Sequence, residues 1–432
     1  MSSSVTRSLP FLVNPAEATP AGDLHLTAMD RALASLPMAA LFVFENPMDQ
    51  PAESIRRALS RALVPYYPIA GRLTVTGDQL KIACTGEGAA FVGASASYTL
   101  QEARLSGPRP VVTVEDLTLT MNYAGQYSSK PPLLLVQVTE FSCGGFVVGV
   151  TWNHVVTDGA GMAQFLQAVG EFARGFPSSP SVWPVRVDHA LPELPPPITT
   201  MTKALVSSKH SDFPSSYITV PRSFIDRVKD EFRRRRSGGG GGLEVAPSSC
   251  TAFDVFTAAI WKCRARATIA SAASQDSPTA LTFTVNVRKP AKAKDGYYGN
   301  VFAFGLVAST LREVADGDIL DLVRLVKDAK ARVPHMFVDG AAYIADAMGG
   351  RLKGLDGYDT LYVTSWWNLG LDDVDFGSGG AERVIGNMER KVVPMCILCG
   401  RKDDKAKGVA AMALCVRQEH AEAFHAELQS LK

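Results

Sequence analysis

Two histidines in this sequence head an HxxxDG: His154, in TWNHVVTDGAGMAQFL, and His335, in HMFVDG. A histidine followed four residues on by an aspartate suits proton transfer, because imidazole titrates near neutral pH and can take up a proton and return it. The aspartate could fix the ring or hold the loop, and the glycine allows close backbone approach. Spacing treats the two copies alike, but their settings differ. His154, Asp158 and Gly159 follow the apolar FVVGVTWN, and Met162, Phe165, Leu166 and Val169 then recur at helical spacing. Residues 146–175 therefore read as strand, short turn and helix. His335 follows a helical stretch and Pro334 and reads as a surface residue. The first histidine is the candidate general base.

Other chemistry is weaker. Cys396 and Cys399 form a CxxC, yet they sit in the apolar run VVPMCILC, which reads as a buried strand. No second CxxC or paired histidine follows at ligand spacing, so no metal site is expected. Seven cysteines in 432 residues fit thiols in a reducing compartment better than a disulfide scaffold. Neither a GxSxG elbow nor a Cys–His pair is evident, which leaves no candidate covalent nucleophile. The basic RRRR at 233–236 reads as the solvated end of a helix, and the GGGGG after it as a surface loop.

The elements that must position His154 alternate in kind. AALFVFE (39–45) is extended; Glu53–Leu63 places Ile55, Leu59 and Ala62 on one helical face and Arg56, Arg57 and Arg61 on another. LLLVQVTEF (133–141), Ser-Cys-Gly-Gly and FVVGVTWNH (146–154) form two strands joined by a tight connection. The region 176–200, ending in PELPPPITT, has little periodicity and reads as a crossover. Beyond it come a helix at 252–267, a strand at 280–288, a helix at Ile319–Ala331 and strands through 360–416. This is a two-domain α/β pattern.

Composition narrows the partners. Hydrophobic residues are 46% and charged residues 20%, which excludes a wholly disordered chain. Lys plus Arg number 44 against 43 for Asp plus Glu, a net charge of +1, so nothing in the charge balance points to nucleic acid. No stretch approaches the roughly 20 apolar residues that cross a bilayer, and MSSSVTRSLPFLV lacks a secretory core. A monomeric, cytoplasmic protein acting on small molecules, with no membrane partner, is expected.

TWNHVVTDGAGMAQFL resembles the HxxxDG region of the plant BAHD acyltransferases, which move acyl groups from coenzyme A thioesters to alcohols or amines. Further segments match in the family's order. YYPIAGRL (66–73) resembles its YPxAGR, VNVRKPAKAKDGYYGNVF its NxR…YFGN, as in benzyl alcohol benzoyltransferase-like members, and VDFGSG (374–379) its DFGWG. The likeness runs from LVNPAEATP at 12–20 to the last strands.

The resemblance implies two similar chloramphenicol-acetyltransferase-like domains, each a mixed sheet with flanking helices: 1–180, a crossover at 181–215, and 216–432. A solvent channel between them would hold His154 as base, with Asp158 pointing away from substrate to hold the loop. Asp375, with Gly377 and Gly379, would be structural, Asp375 pairing with Arg288 of NVR. Thr251 would lie along the coenzyme A path. Acyl-CoA is implied as co-substrate, with no permanently bound cofactor. The acyl group is expected to be benzoyl or hydroxycinnamoyl and the acceptor an alcohol. An amine or polyamine is the alternative, for which an acid such as Asp372 or Asp373 near the pocket mouth would be expected. A non-catalytic acyl-CoA-binding homologue is a further alternative, opposed by the intact His154, Asp158, Arg288 and Asp375.

The sequence departs from the family at two points. Ser378 replaces the tryptophan of DFGWG, a position the resemblance puts near the reaction centre, where serine would enlarge the pocket. Asn368, in TSWWNLG, stands where some members carry an arginine that grips an acceptor carboxylate, which argues against an anionic acceptor. Thr364, Trp366 and Trp367 complete the expected pocket, although two aromatics in an apolar strand could equally be core.

Overall fold

The structure, a computed structural model, describes residues 5–77, 79–105, 112–121, 130–176, 179–187, 191–196, 198–199, 202–203, 213–237, 249–338, 357–388, 393–400 and 404–431. The described chain divides into two compact units, each discontinuous in sequence. The first comprises Met1–Leu194, Arg288–Val301 and Trp366–Arg390; the second comprises Pro195–Val287, Phe302–Ser365 and Lys391–Lys432. This differs from contiguous halves at 1–180 and 216–432. Two segments of the second half, including the DFGSG loop, belong to the first unit.

The first unit contains β1 (Val5–Arg7), β2 (Phe11–Val13), β3 (Asp23–His25), α1 (Ala28–Leu33), β4 (Pro37–Phe44) and α2 (Pro51–Ala62). Next come β5 (Arg72–Thr76), β6 (Gln79–Ala83), β7 (Ala89–Ala96), β8 (Leu134–Phe141), β9 (Phe146–Asn153) and α3 (Gly159–Ala173). Its main sheet has the order β1-β7-β8-β9-β4-β14, where β14 is Arg383–Met388 and β2 also pairs with β7. The sheet is mixed: β7 and β8 are parallel, while β8–β9, β9–β4 and β4–β14 are antiparallel. β4, β8 and β9 are buried at nearly every position, as expected of central strands whose apolar residues run on rather than alternate. α2 and α3 pack against each other. β3, β6 and β5 form a small separate sheet.

The second unit holds β10 (Ser216–Pro221), the helix Arg222–Ser237, α4 (Ala252–Thr268), β11 (Pro278–Asn286), β12 (Phe302–Thr310), α5 (Ile319–Arg332), β13 (Thr360–Ser365), β15 (Met395–Leu398), β16 (Gly408–Leu414) and α6 (Gln418–Gln429). Its sheet order is β10-β16-β15-β13-β11-β12, again mixed. Cys396 lies in β15 and Cys399 just after it, both buried, and a hydrogen bond to Cys415 together with burial pushes the Cys396 thiol well above its usual pKa. The CxxC is core, and none of the seven cysteines is in a disulfide. Arg233 and Arg235 are exposed and pair with Asp230, Glu231 and Asp318. The glycine run 238–242 and Asp339 of the second HxxxDG lie outside the described residues.

Candidate active site

β9 ends at Asn153, and the next five residues turn the chain into α3. Asn153 initiates the turn, its Oδ1 accepting from Val155 N at 3.0 Å and its Nδ2 donating to Ala34 O at 3.0 Å. The His154 amide donates to Leu36 O at 3.0 Å, so the start of the turn is pinned to the segment entering β4. Asp158 is the N-cap of α3, its Oδ1 accepting from Gly161 N at 3.0 Å. The helix then passes close to the returning segment 288–301. A Cβ on Gly161 would stand 1.9 Å from Tyr298 O, so only glycine fits there. Thr157 Oγ1 donates to that carbonyl at 2.5 Å, and Gln164 Nε2 donates to Gly296 O at 3.1 Å.

The aspartate of the motif does not serve the imidazole directly. Arg288 holds it in a two-pronged contact, Nη1 to Oδ2 at 2.9 Å and Nη2 to Oδ1 at 2.8 Å, and Val301 N donates to Oδ2 at 3.1 Å. Burial opposes charge on Asp158, but the Arg288 charge and these hydrogen bonds outweigh it and hold the carboxyl below its ordinary pKa. Arg288 also donates to Gly299 O at 2.9 Å. The expected Arg288–Asp375 pair is therefore corrected: the partner of Arg288 is Asp158. In this geometry Asp158 joins the start of α3 to Arg288 and Val301.

His154 is 9% exposed. Its Nδ1 lies 2.9 Å from Oδ1 of Asn300 in the GYYGN segment. Burial pushes the imidazole pKa below the ordinary histidine value, and the charge of Asp158 and the Asn300 contact offset this only in part. The ring is thereby held neutral near pH 7, the state a general base needs. Asn300 is itself buried, and its one sequence signal is its place in the matched YFGN segment. His335 lies in a short 3-10 helix, Val333–Phe337, and is exposed, as its sequence setting implied.

Asp375 performs a different task. Its Oδ1 accepts from Gly377 N at 2.8 Å and Gly379 N at 2.9 Å, and both glycines have positive φ, 123° and 97°. Its other oxygen is 3.5 Å from Nη1 of Arg174, which also donates to the Asp375 carbonyl. Arg174 is the C-cap of α3, and a Cβ on Gly170 would meet Asp375 O at 2.3 Å. The DFGSG loop thus packs on the C-terminal end of the helix whose N-terminal end Asp158 caps. At 1.5 Å per residue these ends are about 20 Å apart. Ser378 accordingly is not beside His154, and the expectation that it enlarges the pocket is corrected. Its backbone carbonyl accepts from Asn46 Nδ2 at 3.0 Å.

The remaining candidates separate. Trp366 is 6% exposed and packs on Trp152, ring centroids 6.3 Å apart, so it is core beneath the turn. Trp367 is half-buried and Asn368 exposed with φ 62°. Their loop reaches the first turns of α3: the Leu369 side chain borders Gly159, and Gly370 O accepts from Gln167 Nε2 at 2.8 Å. In the second unit, Thr364 Oγ1 meets Thr284 Oγ1 at 2.9 Å. Thr251 caps α4, its Oγ1 accepting from Asp254 N at 3.2 Å. A cavity of about 570 Å³ in the first unit, lined by Arg61, Tyr67, Phe172, Trp183, Arg186 and Tyr298 among others, includes neither His154 nor Asn300. Among the described residues no cluster of His, Cys, Asp or Glu could hold a metal ion, and no helix is long and apolar enough to cross a membrane.

Comparison with known proteins agrees with this architecture. A family model described as the Transferase family matches residues 3–431. Acyl transferase 15 of Oryza sativa subsp. japonica is 38% identical over 458 residues, covering 100% of this chain and 99% of that protein. Myricetin 3-O-glucosyl 1,2-rhamnoside 6'-O-caffeoyltransferase AT1 of Crocosmia x crocosmiiflora is 31% identical over 454 residues, with 99% of each covered. Among solved structures, F. graminearum TRI101 complexed with coenzyme A and T-2 mycotoxin shares the fold, with a TM-score of 0.71 at 16% identity. The match covers 94% of this chain and 97% of that one.

Proposed function

The chain belongs to the Transferase family, the acyl-CoA-dependent BAHD acyltransferases, and on that premise we propose that His154 is the general base that activates an alcohol acceptor. The observation that carries the reading is the state of the imidazole: buried at a strand end, held at Nδ1 by Asn300 and kept below the ordinary histidine pKa.

In the proposed reaction His154 Nε2 takes the hydroxyl proton as the acceptor oxygen attacks the thioester carbonyl. The tetrahedral intermediate collapses, the C–S bond breaks, and the departing thiolate receives the proton from His154. No step needs an enzyme nucleophile. We propose an aromatic acyl donor, hydroxycinnamoyl or benzoyl, in keeping with the caffeoyltransferase relative and the benzoyltransferase-like segments. Asn368 in place of an acceptor-gripping arginine supports a neutral acceptor. Thr251, at the N-terminus of the 17-residue α4, is proposed to border the path of the coenzyme A phosphates, since a helix N-terminus favours anions.

The test is incubation of the purified protein with caffeoyl-, benzoyl- and acetyl-CoA against a panel of alcohols and amines, following thiol release. Acceptor-dependent release that is fastest with an aromatic donor and an alcohol supports the reading. Faster transfer to amines would replace it by N-acylation. No release with any pair would leave a binding protein.

A further inference from the structure

The amide of Asn300 faces three polar groups, and its orientation decides which nitrogen of His154 bears the proton. Nδ2 donates to His154 O at 2.8 Å and to Oδ1 of Asp30 at 2.8 Å, which leaves Oδ1 facing His154 Nδ1 at 2.9 Å. An amide oxygen accepts only, so Nδ1 must be the protonated nitrogen and Nε2 the one with the lone pair. Free neutral histidine side chains favour the opposite tautomer. Something must hold the amide this way round.

Asp30 is built to do so. It is wholly buried in α1, and its two carboxylate oxygens are divided between tasks. Oδ2 accepts from Thr27 N at 2.9 Å and Thr27 Oγ1 at 2.7 Å and lies 3.0 Å from Nη2 of Arg186. Oδ1 faces the Asn300 amide. Arg186 is buried too, donates to Tyr297 Oη at 2.6 Å and cannot turn away from Asp30 without losing its buried anion. A reversed Asn300 would set its oxygen against a carboxylate and a carbonyl, two acceptors facing a third.

We infer that Asp30, braced by Arg186, is a positioning residue that fixes His154 in the Nδ1–H tautomer through Asn300. The inference rests on the reading of His154 as the base, but its test does not depend on activity. In Asp30→Asn three donors still claim the Oδ2 position, so the new amide presents its NH2 to Asn300. Two donors then oppose each other; turning Asn300 over relieves that opposition at the loss of its bond to His154 O, so the native orientation is no longer enforced, and the turned amide offers NH2 to Nδ1 and moves the proton to Nε2.

The measurement is a two-bond 1H–15N correlation on 15N-histidine-labelled protein, with the His154 signals assigned by their loss in His154→Gln. The parent should show Nδ1–H, and Asp30→Asn should shift His154 toward Nε2–H. kcat should fall by about 100-fold, the lower end of the value of general-base catalysis, while KM for both substrates changes far less. Should Asp30→Asn fail to fold, Asp30→Asn combined with Arg186→Met leaves no buried charge alone and carries the same expectation. A proton on Nε2 in the parent, or an unchanged Nδ1–H in the folded variants, overturns the inference. Full turnover in His154→Gln would instead remove the base reading and leave the tautomer result standing.

Discussion

Arg288 grips both carboxylate oxygens of Asp158 across 130 residues of sequence, at 2.9 and 2.8 Å, and so ties the return of the chain at 288–301 to the cap of α3. The aspartate of HxxxD is a strut under the turn that carries His154, and Asn300 stands at the imidazole in its place.

Removing one partner should leave the other charge buried alone. Asp158→Ala is expected to lower folding stability by about 3–5 kcal/mol, read from urea denaturation, together with soluble yield. A double-mutant cycle with Arg288→Met should recover part of that loss. An unchanged urea midpoint in Asp158→Ala would show the contact to be dispensable.

His154→Ala is expected to lose about 100- to 10,000-fold in turnover with its melting temperature near that of the parent. His335→Ala, altering an exposed residue of the second unit, should stay near parental turnover. Near-parental turnover in His154→Ala would defeat the mechanism.

Acidity gives a third check. Because burial lowers the His154 pKa, the base stays deprotonated further into acid, and the acidic limb of kcat/KM should lie below the ordinary histidine value of about 6.5. The sign for stability follows. As pH falls through about 6.5 the unfolded chain binds this proton before the folded one, so stability from this residue is present above that pH and lost below it. His154→Gln should flatten that dependence, compared by melting at a series of pH values. An acidic limb above 6.5 would contradict the burial argument.

Asp375→Ala should cost about 0.5–2 kcal/mol, as loss of a capping carboxylate does, by leaving Gly377 N and Gly379 N without their acceptor and removing the ion pair to Arg174. Neither it nor Ser378→Trp should change the ratio of kcat/KM between small and bulky acceptors, because their loop lies at the far end of α3 from His154. A selective loss of bulky acceptors in Ser378→Trp would return this loop to the pocket.

How much of this the sequence disclosed follows from the range of each interaction. The strand, turn and helix around His154 were legible because apolar continuity, a capping aspartate and helical periodicity all act within about 25 residues. The separation of His154 from His335 was legible for the same reason, since one ends a buried strand and the other follows a proline. Asn300 in the matched YFGN segment and Asp30 in its capping box each have a local signal, but nothing local joins them to each other or to Arg186; burial in one place after the fold forms does. The sequence offers Arg288 two aspartates of matched motifs, Asp158 and Asp375, and only the path of 288–301 over α3 chooses between them. Likewise β14 reads as one more strand of the second half, whereas hydrogen bonding to β4 places it in the first sheet.

That placement bears on how the protein is made. A ribosome delivers residues in order, and domains generally fold as units while they emerge. Here β4 is bare along one edge, and Asp158 is without its guanidinium, until residue 288 and then residues 383–388 have left the exit tunnel. An unpaired strand edge invites pairing with other chains. The nascent first unit therefore spends nearly half of synthesis open on that side, and a fragment stopped at the crossover, such as 1–194, should be recovered aggregated or bound to chaperone rather than as a folded domain.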